Sequence, residues 1–304
     1  MKSDLKKYEG VIVPMVTPVN DNYSIDKNGV KNIIHSFIDA GVLPFVLGTT
    51  GEVASLSTDQ KTALVKEAVN VVDGRVPLLA GLAGNSMLQT IDEAKRYADL
   101  GVDALVALIP NYYPIEDKHA LNWFGKLADN VSLPMFLYNI PATTHHSISL
   151  DVIEKLSHHP SIVGIKDSEN NQARLEESLE RWSSRNDFLF LVGWAAMSSF
   201  GLKRGANGIV PSVANLIPEL YSSLFKAAQN KDFDEAERLQ ELTNKISAYN
   251  QKGRTISGAI PALKALMSLK GLCGTQVMPP MLQMEPEELK AYLGEMENKI
   301  LNLA

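Results

Sequence analysis

The segment Val163-Gly164-Ile165-Lys166-Asp167-Ser168 ends an apolar run with a lysine, at the point where a buried strand would reach its carboxyl end. Burial disfavours an ammonium and favours the neutral amine, which can attack a ketone and form a Schiff base. A lysine opening a solvated loop would carry the same letters, so other segments have to decide. In Gly48-Thr49-Thr50-Gly51-Glu52 two hydroxyls stand between glycines that permit tight turns. That pattern can aim backbone N–H groups at a small carboxylate, and it can equally make an ordinary polar turn. It is too short for a phosphate-binding P-loop and lacks that loop's lysine. Tyr138 ends a further apolar run, in Tyr138-Asn139-Ile140-Pro141, one strand away from Lys166. A phenol there either moves protons beside an imine or packs its ring and keeps its hydroxyl in water.

These residues need a scaffold that gathers strand ends. Short apolar runs at 10–16, 43–47, 76–80, 104–109, 133–138, 162–166, 188–192 and 208–211 alternate with amphipathic stretches such as 27–40, 58–72, 86–100, 118–129 and 150–156. Runs that are apolar throughout belong to strands covered on both faces, as in a parallel sheet. Eight strand–helix repeats predict an α/β fold, a (β/α)8 TIM barrel, whose active site lies at the carboxyl ends of the strands. Beyond Pro211 the segments 217–229, 233–249, 255–269 and 286–303 read as helices. The expected division is a catalytic barrel over 1–225 and a helical domain over 226–304. Ser57 or Thr58 and Ser149 stand where N-caps belong, and Gly41, Gly101 and Gly205 where left-handed C-caps belong.

Composition narrows the function classes. The 304 residues are 45% hydrophobic and 21% charged with a formal net charge of -6, a balance that argues for a soluble globular chain and against a nucleic-acid footprint. Cys273 is the only cysteine, which excludes a disulfide framework or a cysteine-based zinc site within one subunit. The first seven residues lack the apolar core of a signal peptide, and no run is long enough to span a bilayer, so the expected location is the cytoplasm, away from membranes.

The three motifs, together with Gly10-Val11-Ile12-Val13-Pro14-Met15-Val16-Thr17-Pro18 and Ile260-Pro261-Ala262-Leu263-Lys264, resemble the dihydrodipicolinate synthase and N-acetylneuraminate lyase family of pyruvate-handling class I aldolases, lyases and dehydratases. The similarity runs essentially from end to end. It implies the barrel, the helical C-terminal part and a homotetramer built as a dimer of dimers. It makes Lys166 the Schiff-base lysine, Tyr138 the proton-transfer tyrosine and Thr49 a proton relay, with the backbone N–H groups of Thr49 and Thr50 holding a pyruvate carboxylate. Tyr112 matches a tyrosine that reaches a neighbouring subunit's site, and Gly193 and Ile209 match pocket-lining positions. A covalent lysine–pyruvate imine needs no cofactor and no metal.

The chain also departs from its relatives. Dihydrodipicolinate synthases resembling it carry an arginine two residues beyond the proline of the Tyr-Asn-x-Pro motif, where Thr143 stands here. Threonine cannot replace a bidentate guanidinium grip on a carboxylate. Where sialic acid lyases carry an acidic pair for sugar hydroxyls, this chain has Ala195-Ala196 beside Trp194, and each unpaired hydroxyl would cost about 1–3 kcal/mol. What remains resembles the 2-keto-3-deoxy-sugar-acid aldolases, which release pyruvate and an aldehyde. Thr143 and His145 are candidate contacts for the aldehyde half. A dehydratase using the same imine is an alternative, as is a 4-hydroxy-tetrahydrodipicolinate synthase in which Arg254, Lys203 or Arg174 replaces the missing cation.

Overall fold

Eight short segments, buried on both faces, pair side by side in chain order: β1 Gly10–Pro14, β2 Leu43–Val46, β3 Leu79–Leu82, β4 Ala104–Leu108, β5 Met135–Asn139, β6 Ile162–Asp167, β7 Leu189–Val192 and β8 Gly208–Ile209. All pairings are parallel, and β8 closes on β1 through Gly10 opposite Gly208 and Val11 opposite Ile209. The computed structural model describes residue 2 and residues 4–301.

Alternation along the strands separates two cores. Ile12, Phe45, Val106, Phe136, Tyr138 and Leu191 turn into the barrel, and Leu5 and Tyr8 pack with them. Val11, Val13, Val46, Leu105, Leu137 and Phe190 face outward against the helices. Those helices are α1 Lys27–Ala40, α2 Thr58–Val72, α3 Met87–Leu100, α4 Asp117–Asp129, the single turn α5 Pro141–Thr144, α6 Leu150–Ser157, α7 Gln172–Trp182, α8 Ser198–Lys203 and α9 Pro218–Gln229. Ser57 opens α2 with a reciprocal capping box to Gln60, and Ser149 caps α6 through the Val152 N–H. Gly41 and Gly101 close α1 and α3 in the left-handed conformation that glycine adopts without strain.

Three expectations shift. The third strand begins at Leu79 rather than at 76: Pro77 has no N–H, and the N–H of Leu78 donates to the Asp103 carboxylate at 2.9 Å, so the ladder starts one residue later. The eighth strand is Gly208–Ile209, stopping before Pro211, which has no N–H to donate. The division at 225/226 cuts α9, which packs on β1 and α1 as the barrel's eighth covering helix. The appended part therefore starts with α10 Phe233–Gln251 and continues through α11 Ile256–Leu269 and α12 Pro286–Leu301, and the last expected helical positions, 302 and 303, lie outside the described residues. α10 packs against α8 and α9, so the extension leans over the carboxyl ends of the last strands. Among the described residues no helix is long and apolar enough to cross a membrane.

Candidate active site

Lys166 owes its place to the residues two positions before it and one strand away. Gly164 and Lys166 share the inward face of β6, and a Cβ on Gly164 would lie 2.7 Å from the ring of Phe136 and 2.5 Å from the Leu189 carbonyl oxygen. Any side chain beneath the lysine would therefore force its neighbours to shift. Register pairs Tyr138 with Lys166 across β5 and β6, and the amine sits 4.0 Å from the centre of the Tyr138 ring and 5.3 Å from that of Phe45. Lys166 is 4% exposed, and among the described residues no carboxylate forms an ion pair with it.

The next residue, Asp167, points to the opposite face of β6 and anchors it. Its carboxylate accepts from Asn139 Nδ2 at 3.0 Å and from Arg174 Nε at 2.8 Å. Burial raises its pKa, and the opposing effects of Arg174, Asn139 and the Glu169 N–H do not cancel that rise. The Tyr138 phenol balances the other way: burial alone would raise it, but the Lys166 charge and hydrogen bonds with Lys166, Thr49 and Ser168 bring it below the ordinary phenol range. Thr49 Oγ1 lies 3.5 Å from the Tyr138 hydroxyl. Lysine, phenol and hydroxyl thus form one proton-transfer cluster.

The threonine loop achieves its turn differently from the sequence expectation. Its left-handed residues are Leu47 (φ 60°) and Glu52 (φ 57°), whereas Gly48 and Gly51 are needed for close approach. A Cβ on Gly51 would come within 2.9 Å of the Met15 carbonyl oxygen, and one on Gly48 within 3.1 Å of the Phe45 ring. Thr17 Oγ1 donates to the Gly51 carbonyl at 2.6 Å. Glu52 is clamped from the helical extension: its carboxylate meets Lys264 Nζ of α11 at 2.5 Å and accepts from the Met278 N–H at 2.6 Å.

A cavity of about 460 Å³ opens above the cluster. Lys166, Tyr138, Thr49, Thr50 and Gly193 all line it. Gly193 is fixed by space, since a Cβ there would meet Ser168 Oγ at 2.1 Å. One flank is Trp194-Ala195-Ala196, the apolar wall expected from the sequence.

Four expected contacts lie elsewhere. Ile209 is fully buried in the layer between sheet and helices, because strand alternation turns its neighbour Val210 inward, and Val210 lines the cavity in its place. Thr143 lines an adjoining cavity of about 810 Å³ that shares Thr49, Ala142, Thr255, Ile256 and Ile260 with the first. His145 is exposed as the left-handed C-cap of α5, which turns it away from both cavities, while His146 faces Asp117 at 3.7 Å. Tyr112 is 76% exposed and stacks edge-on with Tyr113, outside the cavity of its own chain. Of the three candidate cations, Arg174 is paired with Asp167 and Glu169, Lys203 rests over the Phe233 ring, and Arg254 lines the cavity. Sequence reasoning missed Phe45 and Asn250. Phe45 could have been found from its alternation with Leu43 and Leu47, whereas the approach of Asn250 depends on how α10 docks. Among the described residues no group of three His, Cys, Asp or Glu side chains could hold a metal ion.

Comparison with known proteins agrees with this geometry. The sequence pattern of the dihydrodipicolinate synthetase family matches residues 7–298. A DapA-like lyase of Pyrococcus abyssi is 31% identical over 297 residues, covering 95% of this chain and 99% of its own. The solved dihydrodipicolinate synthase of Bacteroides thetaiotaomicron superposes with a TM-score of 0.90 at 32% identity, covering 95% of this chain and 98% of that one. YagE, an E. coli K12 prophage protein of the dihydrodipicolinic acid synthase family solved in complex with pyruvate, superposes with a TM-score of 0.90 at 26% identity, covering 98% of this chain and 99% of that one.

Proposed function

The chain belongs to the dihydrodipicolinate synthetase family, an enzyme family of lyases, and from that premise we propose that it cleaves a hydroxylated 2-oxo acid of the 2-keto-3-deoxy-sugar-acid type to pyruvate and an aldehyde, through an imine on Lys166. The observation that carries this reading is the convergence of a buried amine without a counterion, a phenol and a hydroxyl on the floor of one cavity. The Lys166 amine, after giving up a proton, adds to the C2 ketone, and protons relayed by Tyr138 and Thr49 let water leave as the C2=N bond forms. The C3–C4 bond then breaks. Its electron pair moves into the iminium to give an enamine, the C4 oxygen loses its proton, and the C4 carbonyl departs as the aldehyde. C3 takes up a proton, and water hydrolyses the imine to release pyruvate and the amine. The backbone N–H groups of Thr49 and Thr50 are assigned to the substrate carboxylate, held in place by the Glu52–Lys264 pair.

The route draws on no metal or cofactor, because the imine is itself the electron sink. We assign Tyr112, exposed on the single chain, to the site of a neighbouring subunit in a tetramer, and a cytoplasmic location to the whole. Arg254 in the cavity gives a synthase acting on aspartate semialdehyde one observation in its favour. Incubating the protein with pyruvate and borohydride and mapping the adduct tests the common step. The expected result is a single modified residue, Lys166, together with pyruvate release from 2-keto-3-deoxy acids. An adduct elsewhere, or none, overturns the reading.

A further inference from the structure

We infer that the roof of the Lys166 cavity, built where α10 ends and α11 begins, recognises a carboxylate at the far end of the aldehyde half, so that the cleaved substrate is a 2-oxo diacid. The inference rests on the imine reading above and narrows its substrate class. Arg254 is half-buried on this roof, with its guanidinium 5.2 Å from the Tyr292 ring centre and Nη1 donating to the Tyr249 carbonyl at 3.2 Å. Those contacts orient the group without neutralising it, and among the described residues no carboxylate pairs with it. A guanidinium has five N–H donors in a planar fork, so donors remain for a second anion.

Asn250 supplies an independent demand for a ligand. It is 2% exposed and lines the same cavity; its Nδ2 donates to the Ala259 carbonyl at 3.3 Å, while its Oδ1 accepts from nothing. A buried acceptor left without a donor is costly, and a hydroxyl next to the terminal carboxylate would satisfy it. The third element is the start of α11. Thr255 occupies the N-cap without a side-chain capping bond, its hydroxyl engaged instead with Ser257 Oγ at 2.9 Å, and both Thr255 and Ile256 line the cavity. The Gly258 N–H already donates to the Thr255 carbonyl at 3.0 Å, which leaves the N–H groups of Ile256 and Ser257 at the positive end of the helix dipole. Another flank is Trp194-Ala195-Ala196, whose single side-chain donor is the indole N–H of Trp194, too few partners for a chain of hydroxyls. An anion-seeking roof against an apolar flank suits a short acid ending in one hydroxyl and one carboxylate.

A matched pair of probes tests this. 2-Keto-3-deoxyhexarate and 2-keto-3-deoxyhexonate share a skeleton and both yield pyruvate, differing only in a terminal carboxylate or hydroxymethyl group. The hexarate is expected to show at least roughly tenfold higher kcat/KM, and Arg254→Gln to lower the hexarate-to-hexonate ratio by roughly 30- to 100-fold, with Arg254→Lys intermediate because a point charge lacks the fork. Equal use of both acids by the unaltered protein, or an equal fall for both in Arg254→Gln, overturns the inference. In the condensation direction, pyruvate is offered with tartronate semialdehyde, aspartate semialdehyde and glyceraldehyde. Preference for either carboxylated aldehyde, lost in Arg254→Gln, supports the site, and the ratio of the two tells a hydroxyl-bearing from an amino-bearing source. Preference for glyceraldehyde overturns it. Borohydride trapping of pyruvate on Lys166 is run alongside. Absence of the adduct in the unaltered protein sinks the imine reading itself, whereas trapping without tail selectivity sinks this inference alone.

Discussion

The two most deeply buried lysines of this molecule sit in opposite electrostatic settings. Lys264, at the seam between barrel and extension, ends on the Glu52 carboxylate at 2.5 Å and the Gln276 carbonyl at 2.6 Å. Lys166, at the end of β6, faces the rings of Tyr138 and Phe45 and no carboxylate. A buried ammonium needs a counterion and hydrogen bonds to offset its lost hydration. Lys264 has both and does structural work on the threonine loop, whereas Lys166 has no carboxylate partner among the described residues, meets only the Tyr138 phenol and adjoins a cavity. The contrast teaches that burial alone does not mark a reactive lysine; burial without a counterion, beside a phenol, does.

Replacing each lysine with methionine sharpens the contrast most. Lys166→Met is expected to abolish borohydride trapping and lower turnover by roughly 10⁵-fold or more, as loss of a covalent nucleophile does. Its thermal midpoint should hold or rise, because a buried amine without a carboxylate partner leaves the interior. Lys264→Met should do the reverse. It strands Glu52 in an apolar seam and is expected to lower stability by about 3–5 kcal/mol, read as a fall in denaturant midpoint, with Glu52→Gln/Lys264→Met recovering part of the loss. If Lys166→Met proves the more destabilising of the two, the contrast is broken.

Tyr138 tests the phenol's share. Tyr138→Phe should lower turnover by roughly 10²- to 10³-fold while pyruvate still traps on Lys166. The titration of the phenol, followed by ultraviolet difference against Tyr138→Phe, should lie below the ordinary value of about 10. Its folded-state pKa is depressed, so the ionised phenol contributes stability that is present above the unfolded value and fades as pH falls through the folded one. In Lys166→Met the lowering partner is gone and burial remains, so the same titration should move above the ordinary range. An unmoved titration would separate the two groups and end the account of them as one cluster.

The difference between the lysines was only half legible in the sequence. Lys166 could be found because an apolar run and strand alternation are local, and so could Tyr138 and Thr49, each at the end of its own strand, whereas Gly193 came only from the family resemblance. The barrel was legible for the same reason, since eight two-face-buried runs recur at regular spacing. Ile209 and Val210 show the limit: both are apolar, and only the closing register with β1 decides which one turns inward. Asn250 and Arg254 reach the site through the docking of α10 and α11, a contact between segments more than eighty residues from Lys166 that no local pattern encodes. The Glu52–Lys264 pair was invisible as a pair for the same reason, although both residues stood in recognised motifs.

The smallest expected effect falls on Gly164, the residue that lets Lys166 stand where it does. Gly164→Ala adds one methyl group on the inward face, 2.7 Å from the Phe136 ring and 2.5 Å from the Leu189 carbonyl oxygen. Backbone cannot yield as a side chain can, so β6 must shift away from β7, and overpacking of this kind costs about 1–3 kcal/mol. The same displacement moves Lys166 off the Tyr138 ring, because the two residues are paired in register across β5 and β6. Denaturant unfolding should therefore show a modest loss of stability, accompanied by slower imine trapping with pyruvate at unchanged adduct position. Gly51→Ala meets the Met15 carbonyl oxygen at 2.9 Å and is the control on the carboxylate side. It should raise the KM for pyruvate more than it slows trapping at saturation. Identical kinetic signatures from the two glycines would mean that the amine and the threonine loop respond as one rigid body, and that Lys166 is not positioned by its own strand.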